Sequence, residues 1–249
     1  MSEEMIIGKN PVMEALQSGR AVNKVFVSDQ LNKQTEKELH RAVKKANTFM
    51  QKVPKKRIDQ MASGKHQGIV AYVSAYEYST VEDILKRAEE DEIAPFLIIL
   101  DEIEDPHNLG AILRTADATG VHGVIIPKRR AVGLTETVAK ASAGAIEHIP
   151  VARVTNIADT INTLKTKNIW VVGTDEKGTD DYRTLDGETG LAIVIGNEGK
   201  GVSRLVKDKC DWMVHLPMQG KIPSLNASVA SSLLMYEVYR KRHPLGEDG

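Results

Sequence analysis

The pattern of apolar positions changes near residue 95 of the 249-residue chain. Upstream, short apolar stretches alternate with charged helical ones. Ile6 and Ile7 read as the end of a short strand. Gly8-Lys9-Asn10-Pro11 then predicts a helix, with Asn10 as N-cap, Pro11 at its first position and Gly19 as its stop. A strand is expected over 22–27. A charged helix over 33–47 would turn Leu39, Val43 and Ala46 inward, and a short strand covers 49–53. After Pro54-Lys55-Lys56-Arg57, residues 58–61 read as a helical turn. The glycine-bearing loop 63–68 then enters a strand ending at Tyr72. Residues 79–94 predict a connector built on a charged helix, with a capping-box-like start at Thr80 and Asp83 and an end at Pro95.

Downstream the runs lengthen. Phe96-Leu97-Ile98-Ile99-Leu100 is apolar at every position, as in a strand covered on both faces. Strands over 123–127, 148–151, 169–174, 191–195 and 212–216 alternate with helices over 108–119, 136–143, 157–167 and 202–207, and a last helix begins after Asn226. This alternation predicts an α/β fold: a small N-terminal α/β domain at 1–78, a linker at 79–94, and a doubly wound parallel sheet at 95–249. Ligands of such sheets sit outside the carboxyl ends of the strands.

Composition narrows the chemistry. Aromatic residues are only 4%, so Ile, Val, Leu and Ala must fill the core. A single cysteine, Cys210, allows neither an intramolecular disulfide nor a cysteine metal cluster. His66, His107, His122, His148 and His215 show no metal-ligand spacing, so no metal is expected. The apolar runs are too short to span a bilayer and the first residues resemble no targeting peptide, which predicts a soluble, cytoplasmic protein. The net charge is −1, yet residues 1–78 carry 13 Lys and Arg against 8 Asp and Glu. A front segment of net +5 is suited to a polyanion, with Lys9, Asn10, Lys55, Lys56, Arg57, Lys65 and His66 in its loops.

Three strand-end loops carry the candidate chemistry. In the first, Asp105-Pro-His-Asn-Leu-Gly-Ala-Ile-Leu-Arg114, Asn108 stands where a cap is expected and Arg114 can offer a planar fork to phosphate or carboxylate. Taken alone, a surface Arg114 paired with Asp117 is the plainer reading. The second, Ile195-Gly-Asn-Glu-Gly-Lys-Gly201, has neither the dinucleotide glycine order nor the P-loop lysine. It allows a glycine-lined nucleoside pocket or a plain turn. In the third, from His215 to Asn226, Pro217 and Pro223 fix the backbone, and Ser224 and Asn226 can each cap the final helix. Ala227, Ser228, Ala230, Ser231 and Ser232 then leave room for close approach. No nucleophile elbow is present. The run Lys128-Arg129-Arg130 suits RNA or a solvated loop equally.

Together, Asn108-Leu-Gly-Ala-Ile-Leu-Arg-Thr-Ala116, Ile195-Gly-Asn-Glu-Gly-Lys-Gly201 and Leu216-Pro-Met followed by Ser224-Leu-Asn-Ala-Ser-Val-Ala230 resemble the three ordered motifs of the SpoU/TrmH family. That family comprises RNA ribose 2′-O-methyltransferases of the SPOUT class. Gly8-Lys-Asn-Pro-Val-Met-Glu-Ala-Leu16 resembles the start of the RNA-binding domain found in its RlmB branch, which modifies guanosine in bacterial 23S rRNA. Leu216 stands where the family has Ile. The resemblance implies a deep trefoil knot in the C-terminal domain, a homodimer, and S-adenosyl-L-methionine as cofactor, held by Thr174, Gly196, Leu216, Met218 and Leu225. It implies a reaction centre of Asn108, Arg114, Glu198, Ser224 and Asn226, with 23S rRNA as the partner. Two other readings remain: a tRNA guanosine 2′-O-methyltransferase, and a non-catalytic RNA-binding ribosome-assembly factor.

Overall fold

The computed structural model describes residues 4–74, 76–221 and 224–245. The chain divides into two compact units, 1–77 with 133–136, and 78–132 with 137–249.

In the first unit, strands β1 (Glu4–Ile7), β2 (Val22–Ser28), β3 (Met50–Val53) and β4 (Ile69–Val73) form a mixed sheet of order β1-β4-β2-β3. Helices α1 (Lys9–Gln17) and α2 (Lys33–Lys45) cover one face, where Val12, Leu16, Leu39 and Val43 meet Val25, Val27 and Ala71. Helix α3 (Lys55–Met61) covers the other through Ile58, against Phe26 and Val70. The N-cap of α1 is Gly8, at φ 94°, rather than the expected Asn10. The remote segment 133–136 folds with this unit: Leu134 is buried, and its carbonyl accepts from Ser74 Oγ at 2.8 Å and Asn23 Nδ2 at 3.4 Å.

The second unit begins with α4 (Val81–Glu90), closed by the expected Thr80–Asp83 capping box. The segment 79–94 was expected as a connector, but α4 lies within this unit. Its Ile84 and Leu85 join the same apolar cluster as Leu97, Ile99 and Ile125. Strands β5 (Phe96–Asp101), β6 (Gly123–Pro127), β7 (Val151–Val154), β8 (Trp170–Thr174), β9 (Asp180–Asp181), β10 (Leu191–Gly196) and β11 (Trp212–His215) form a sheet of order β7-β6-β5-β10-β8-β11-β9. Every pair in it is parallel. Helix α7 (Ile157–Lys165) and α8 (Arg204–Lys207) share one face with α4. Helix α9 (Ala227–Arg242) contacts β10 and packs on α5 (Pro106–Ala118), and α6 (Glu136–Ala141) follows β6. The expected strand at 148–151 begins only at Val151. Residues 145–147 form a 3₁₀ turn, and Pro150 has no N–H to give the sheet ladder.

The carboxyl end of α9 is clamped. Arg242 donates to the carbonyls of Gly187 (2.7 Å), Ala94 (2.8 Å) and Thr189 (3.3 Å), and its guanidinium lies 5.3 Å from the Phe96 ring centroid. Lys241 donates to Arg183 O at 2.7 Å and Leu185 O at 2.5 Å. Charge-assisted bonds of this kind each contribute about 1.5–3 kcal/mol, and the carbonyls here have few other donors. Arg242→Ala is therefore expected to lower unfolding free energy by about 2 kcal/mol or more. Urea denaturation, read as a shift in midpoint at constant slope, checks this.

Candidate functional site

The carboxyl ends of β8, β10 and β11 open into a cleft of about 1400 Å³. Its walls include Thr174, Ile195, Gly196, Glu198, His215, Leu216, Met218, Ser224, Leu225, Ala227, Ala230 and Leu234. All five residues expected at a cofactor line it, as do Glu198 and Ser224. Ile222 and Pro223 lie outside the described residues. Gly196 is needed for the shape of the β10 loop. A Cβ there would lie 2.1 Å from the Gly201 carbonyl carbon, where the chain doubles back through a 2.7 Å bond from Gly201 N to Asn197 O. The glycine pattern of this loop thus closes a turn on itself and leaves Glu198 at the rim.

Glu198 gathers the other motifs. Its Oε1 accepts from Asn108 Nδ2 at 3.0 Å, Asn226 Nδ2 at 2.5 Å and the Ala227 amide at 3.2 Å. Asn226 Nδ2 also donates to Asn108 Oδ1 at 3.0 Å. Among the described residues Oε2 takes no hydrogen bond. One carboxylate oxygen therefore joins the β10 loop, the first turn of α5 and the start of α9.

Two expected caps change roles. Asp105, not Asn108, caps α5: its Oδ1 accepts from the His107 amide at 2.9 Å, and Pro106 takes the first helical position. Asn108 instead sits inside the first turn, buried, with its amide turned to Glu198 and Asn226. For α9 the cap is Asn226, whose Oδ1 accepts from the Ser228 and Val229 amides. Ser224 lies in the cleft wall. The small residues of α9 let it meet α5 closely: Ser232 Oγ lies 3.0 Å from Thr115 Oγ1, and the fully buried Ser231 hydroxyl returns to Ala227 O.

Arg114 is exposed on α5. Among the described residues it makes no hydrogen bond or ion pair, so the expected pairing with Asp117 is absent. Cys210 and the Asp175–Lys207 ion pair also line the cleft, which the motifs did not indicate. Burial pushes the Cys210 thiol up to about 12, so it stays protonated and unreactive at neutral pH. Among the described residues no group of three His, Cys, Asp or Glu is placed to hold a metal ion, and no helix is long and apolar enough to cross a membrane.

In the first unit, the carboxyl ends of β1, β2 and β3 and the start of β4 lie together. Gly8 N bonds Ile69 O, Ser28 N bonds Gly68 O, and Asp29 N bonds Val53 O. This brings Lys9, Asn10, Lys55, Lys56, Arg57, Lys65 and His66 to one edge. Lys55, Lys56, Arg57 and Lys65 are exposed there. Lys9 pairs with Glu38 at 2.8 Å. His66 is committed locally: Nδ1 accepts from the Gly68 amide at 3.0 Å and Nε2 faces Asp59 at 3.1 Å.

Residues 95–236 match the model of the SpoU rRNA methylase family. The chain belongs to the SpoU rRNA methylase family. Residues 5–79 match a second model, that of RNA 2′-O ribose methyltransferase substrate binding. YacO of Bacillus subtilis, named by family as a TrmH family tRNA/rRNA methyltransferase, is 58% identical over 98% of both chains. Among solved structures, the SpoU methyltransferase AviRb from Streptomyces viridochromogenes, in complex with the cofactor AdoMet, superposes with TM-score 0.62. It is 28% identical over 97% of this chain and 91% of its own. The AdoMet-bound rRNA methyltransferase from Sinorhizobium meliloti gives TM-score 0.59 at 26% identity, over 97% of this chain and 87% of its own. A TrmH/SpoU tRNA modifying enzyme from A. aeolicus gives TM-score 0.55 at 28% identity, over 65% of this chain and 83% of its own.

The Glu198 cluster generates a stability test. Glu198→Ala removes the acceptor of a buried Asn108 amide and of the Ala227 N–H, at an expected cost of roughly 1–2 kcal/mol. Glu198→Gln keeps an oxygen in place and should lose less than half as much. Denaturant midpoints of the two variants give the comparison.

Proposed function

We propose that this protein is an S-adenosyl-L-methionine-dependent methyltransferase acting on the ribose 2′-hydroxyl of a guanosine in 23S rRNA. The observation that carries the reading is the joining of Asn108, Glu198 and Asn226, from three separate motifs, at the rim of the cleft outside the strand ends. The cleft suits that cofactor. Ile195, Leu216, Met218 and Leu225 offer apolar surface to an adenine, and Glu198 offers a carboxylate to a cationic group. Thr174, Gly196, Leu216, Met218 and Leu225 hold it, and when bound it supplies an electrophilic methyl group on sulfur.

The protein's own groups do the rest. Arg114 acts as a positive charge and not as a base: it binds an RNA phosphate and stabilises the developing alkoxide. Glu198 Oε2 accepts the hydroxyl proton, while Oε1 stays committed to Asn108 and Asn226. Ser224 orients the substrate from the cleft wall. Much of the rate comes from holding two reactants in line. The basic edge of the first unit docks the RNA backbone, a term that weakens with salt.

The choice of rRNA rests on coverage. The neighbour named an rRNA methyltransferase matches nearly the whole chain, whereas the one named a tRNA modifying enzyme matches about two thirds of it. Homodimerisation through α9 accounts for an exposed stripe of Val229, Leu233 and Tyr236 on that helix. A trefoil knot in the second unit accounts for chain segments in backbone contact: a Cβ on Gly178 would lie 2.6 Å from the Val214 carbonyl carbon. A cytoplasmic location follows from an RNA substrate of this class.

Incubation with methyl-labelled S-adenosyl-L-methionine and unmodified bacterial RNA is expected to label 23S rRNA. Label in tRNA alone would move the assignment to the tRNA reading. No label in either, from protein that binds RNA, would favour the assembly-factor reading. Arg114→Lys keeps the charge and loses the fork, and its kcat should fall about 10²-fold. Full retention of kcat in single-turnover assays would remove the fork from the mechanism.

A further inference from the structure

The run Lys128-Arg129-Arg130 belongs to neither the cleft lining nor the Glu198 cluster, and its placement gives it a use. It forms the turn that leaves the carboxyl end of β6, the side of a parallel sheet on which ligands gather. Its two outer cations are engaged. Lys128 Nζ donates to Thr155 Oγ1 at 2.9 Å, and Arg130 Nη1 donates to Glu102 Oε1 at 2.6 Å. Arg130 holds φ 56°, in the left-handed region that a non-glycine residue occupies only when its surroundings fix it. Between them Arg129 is exposed, and among the described residues it has no hydrogen bond or ion pair.

The turn is wired to the rim of the cleft. Glu102, which holds Arg130, has its own carbonyl bonded by Asn197 Nδ2 at 3.1 Å, and Asn197 adjoins Glu198. Val132 N bonds Ile103 O at 3.0 Å, tying the turn to the loop that leads into α5 and Arg114. A strained turn held at both ends, presenting one unpaired guanidinium two strands from the loop that carries Glu198, suits a planar bidentate anion.

We propose that Arg129 is a phosphodiester-binding residue for the RNA strand flanking the target nucleotide. This rests on the RNA-methylating reading of the adjacent site. Lys128 and Arg130 are positioning residues that set the turn.

Filter binding of Arg129→Ala and wild-type protein to unmodified total rRNA, between 50 and 200 mM salt (roughly the range over which such contacts are lost), tests the contact. Loss of one phosphate contact should lower the slope of log affinity against log salt by about 1 and weaken binding roughly 3- to 10-fold at the low-salt end. Arg129→Lys should recover the slope while recovering affinity only in part. Lys86→Ala, which removes an exposed cation from the solvated face of α4, should leave both unchanged. An Arg129→Ala slope equal to wild type, or an equal loss from Lys86→Ala, overturns the proposal. The methyl-transfer assay separates the two readings. Wild type that binds rRNA without methylating it removes the catalytic reading and leaves the slope to decide the contact. Wild type that methylates rRNA with no change of slope in Arg129→Ala removes the contact alone.

Discussion

One carboxylate oxygen ties three distant segments of the second unit together. Oε1 of Glu198 takes donors from Asn108, Asn226 and Ala227, which stand 90 residues before it and 28 and 29 residues after it. A helix start leaves amides without partners, and Asn226 meets that need for α9 with its own Oδ1 while its Nδ2 reaches Asn108 and Glu198. Both halves of one amide are therefore spent. None of the three side chains can turn without leaving a polar atom unpaired, and for the buried Asn108 that loss is costly. The rim of the cleft is rigid because the same bonds that fix it also start a helix.

Helix α9 is held equally firmly at its other end. Lys241 and Arg242 donate to carbonyls of the 183–189 loop and of Ala94, groups that would otherwise need water. Cations in the last turn also complement the helix dipole. Between these ends, Ser231 and Ser232 satisfy their hydroxyls within the helix, through Ala227 O and Ser228 O, so α5 can approach without stranding a polar atom. The Ser and Ala content of the first two turns follows from that approach. Ala227, Ala230 and Leu234 line the cleft from a helix anchored at both ends.

What could be read from the sequence was whatever a local pattern determines. The apolar runs at β5, β6 and β10, the Thr80–Asp83 box and the Asn226 cap all follow from spacing. The failures came where two local signals compete. Asp105-Pro106 and Asn108 both offer a cap to α5. Pro106 settles it, because its fixed φ suits the first helical position and it lacks the donor that would go unsatisfied there. The alternation at 148–151 resembles a strand, but Pro150 delays the ladder to Val151. Leu134 carried no signal at all: that one short segment of the later chain folds with the first unit is a tertiary fact. The fan of bonds on Glu198 was equally hidden, since sequence could nominate three polar residues but not which oxygen they share.

Arginine shows most clearly where sequence reading stops. Arg242 and Arg130 are engaged by the fold, one by carbonyls and one by Glu102. Arg114 and Arg129 are exposed, and among the described residues nothing pairs with them. All four look alike in the sequence. A guanidinium left solvated contributes little to stability, so these two are not explained by folding. Both lie on segments fixed by their neighbours, Arg114 on a helix whose first turn is tied to Glu198 and Arg129 in a turn pinned on either side. A charge without an internal partner keeps its full attraction for an external anion. On the proposed reading that anion is the RNA backbone.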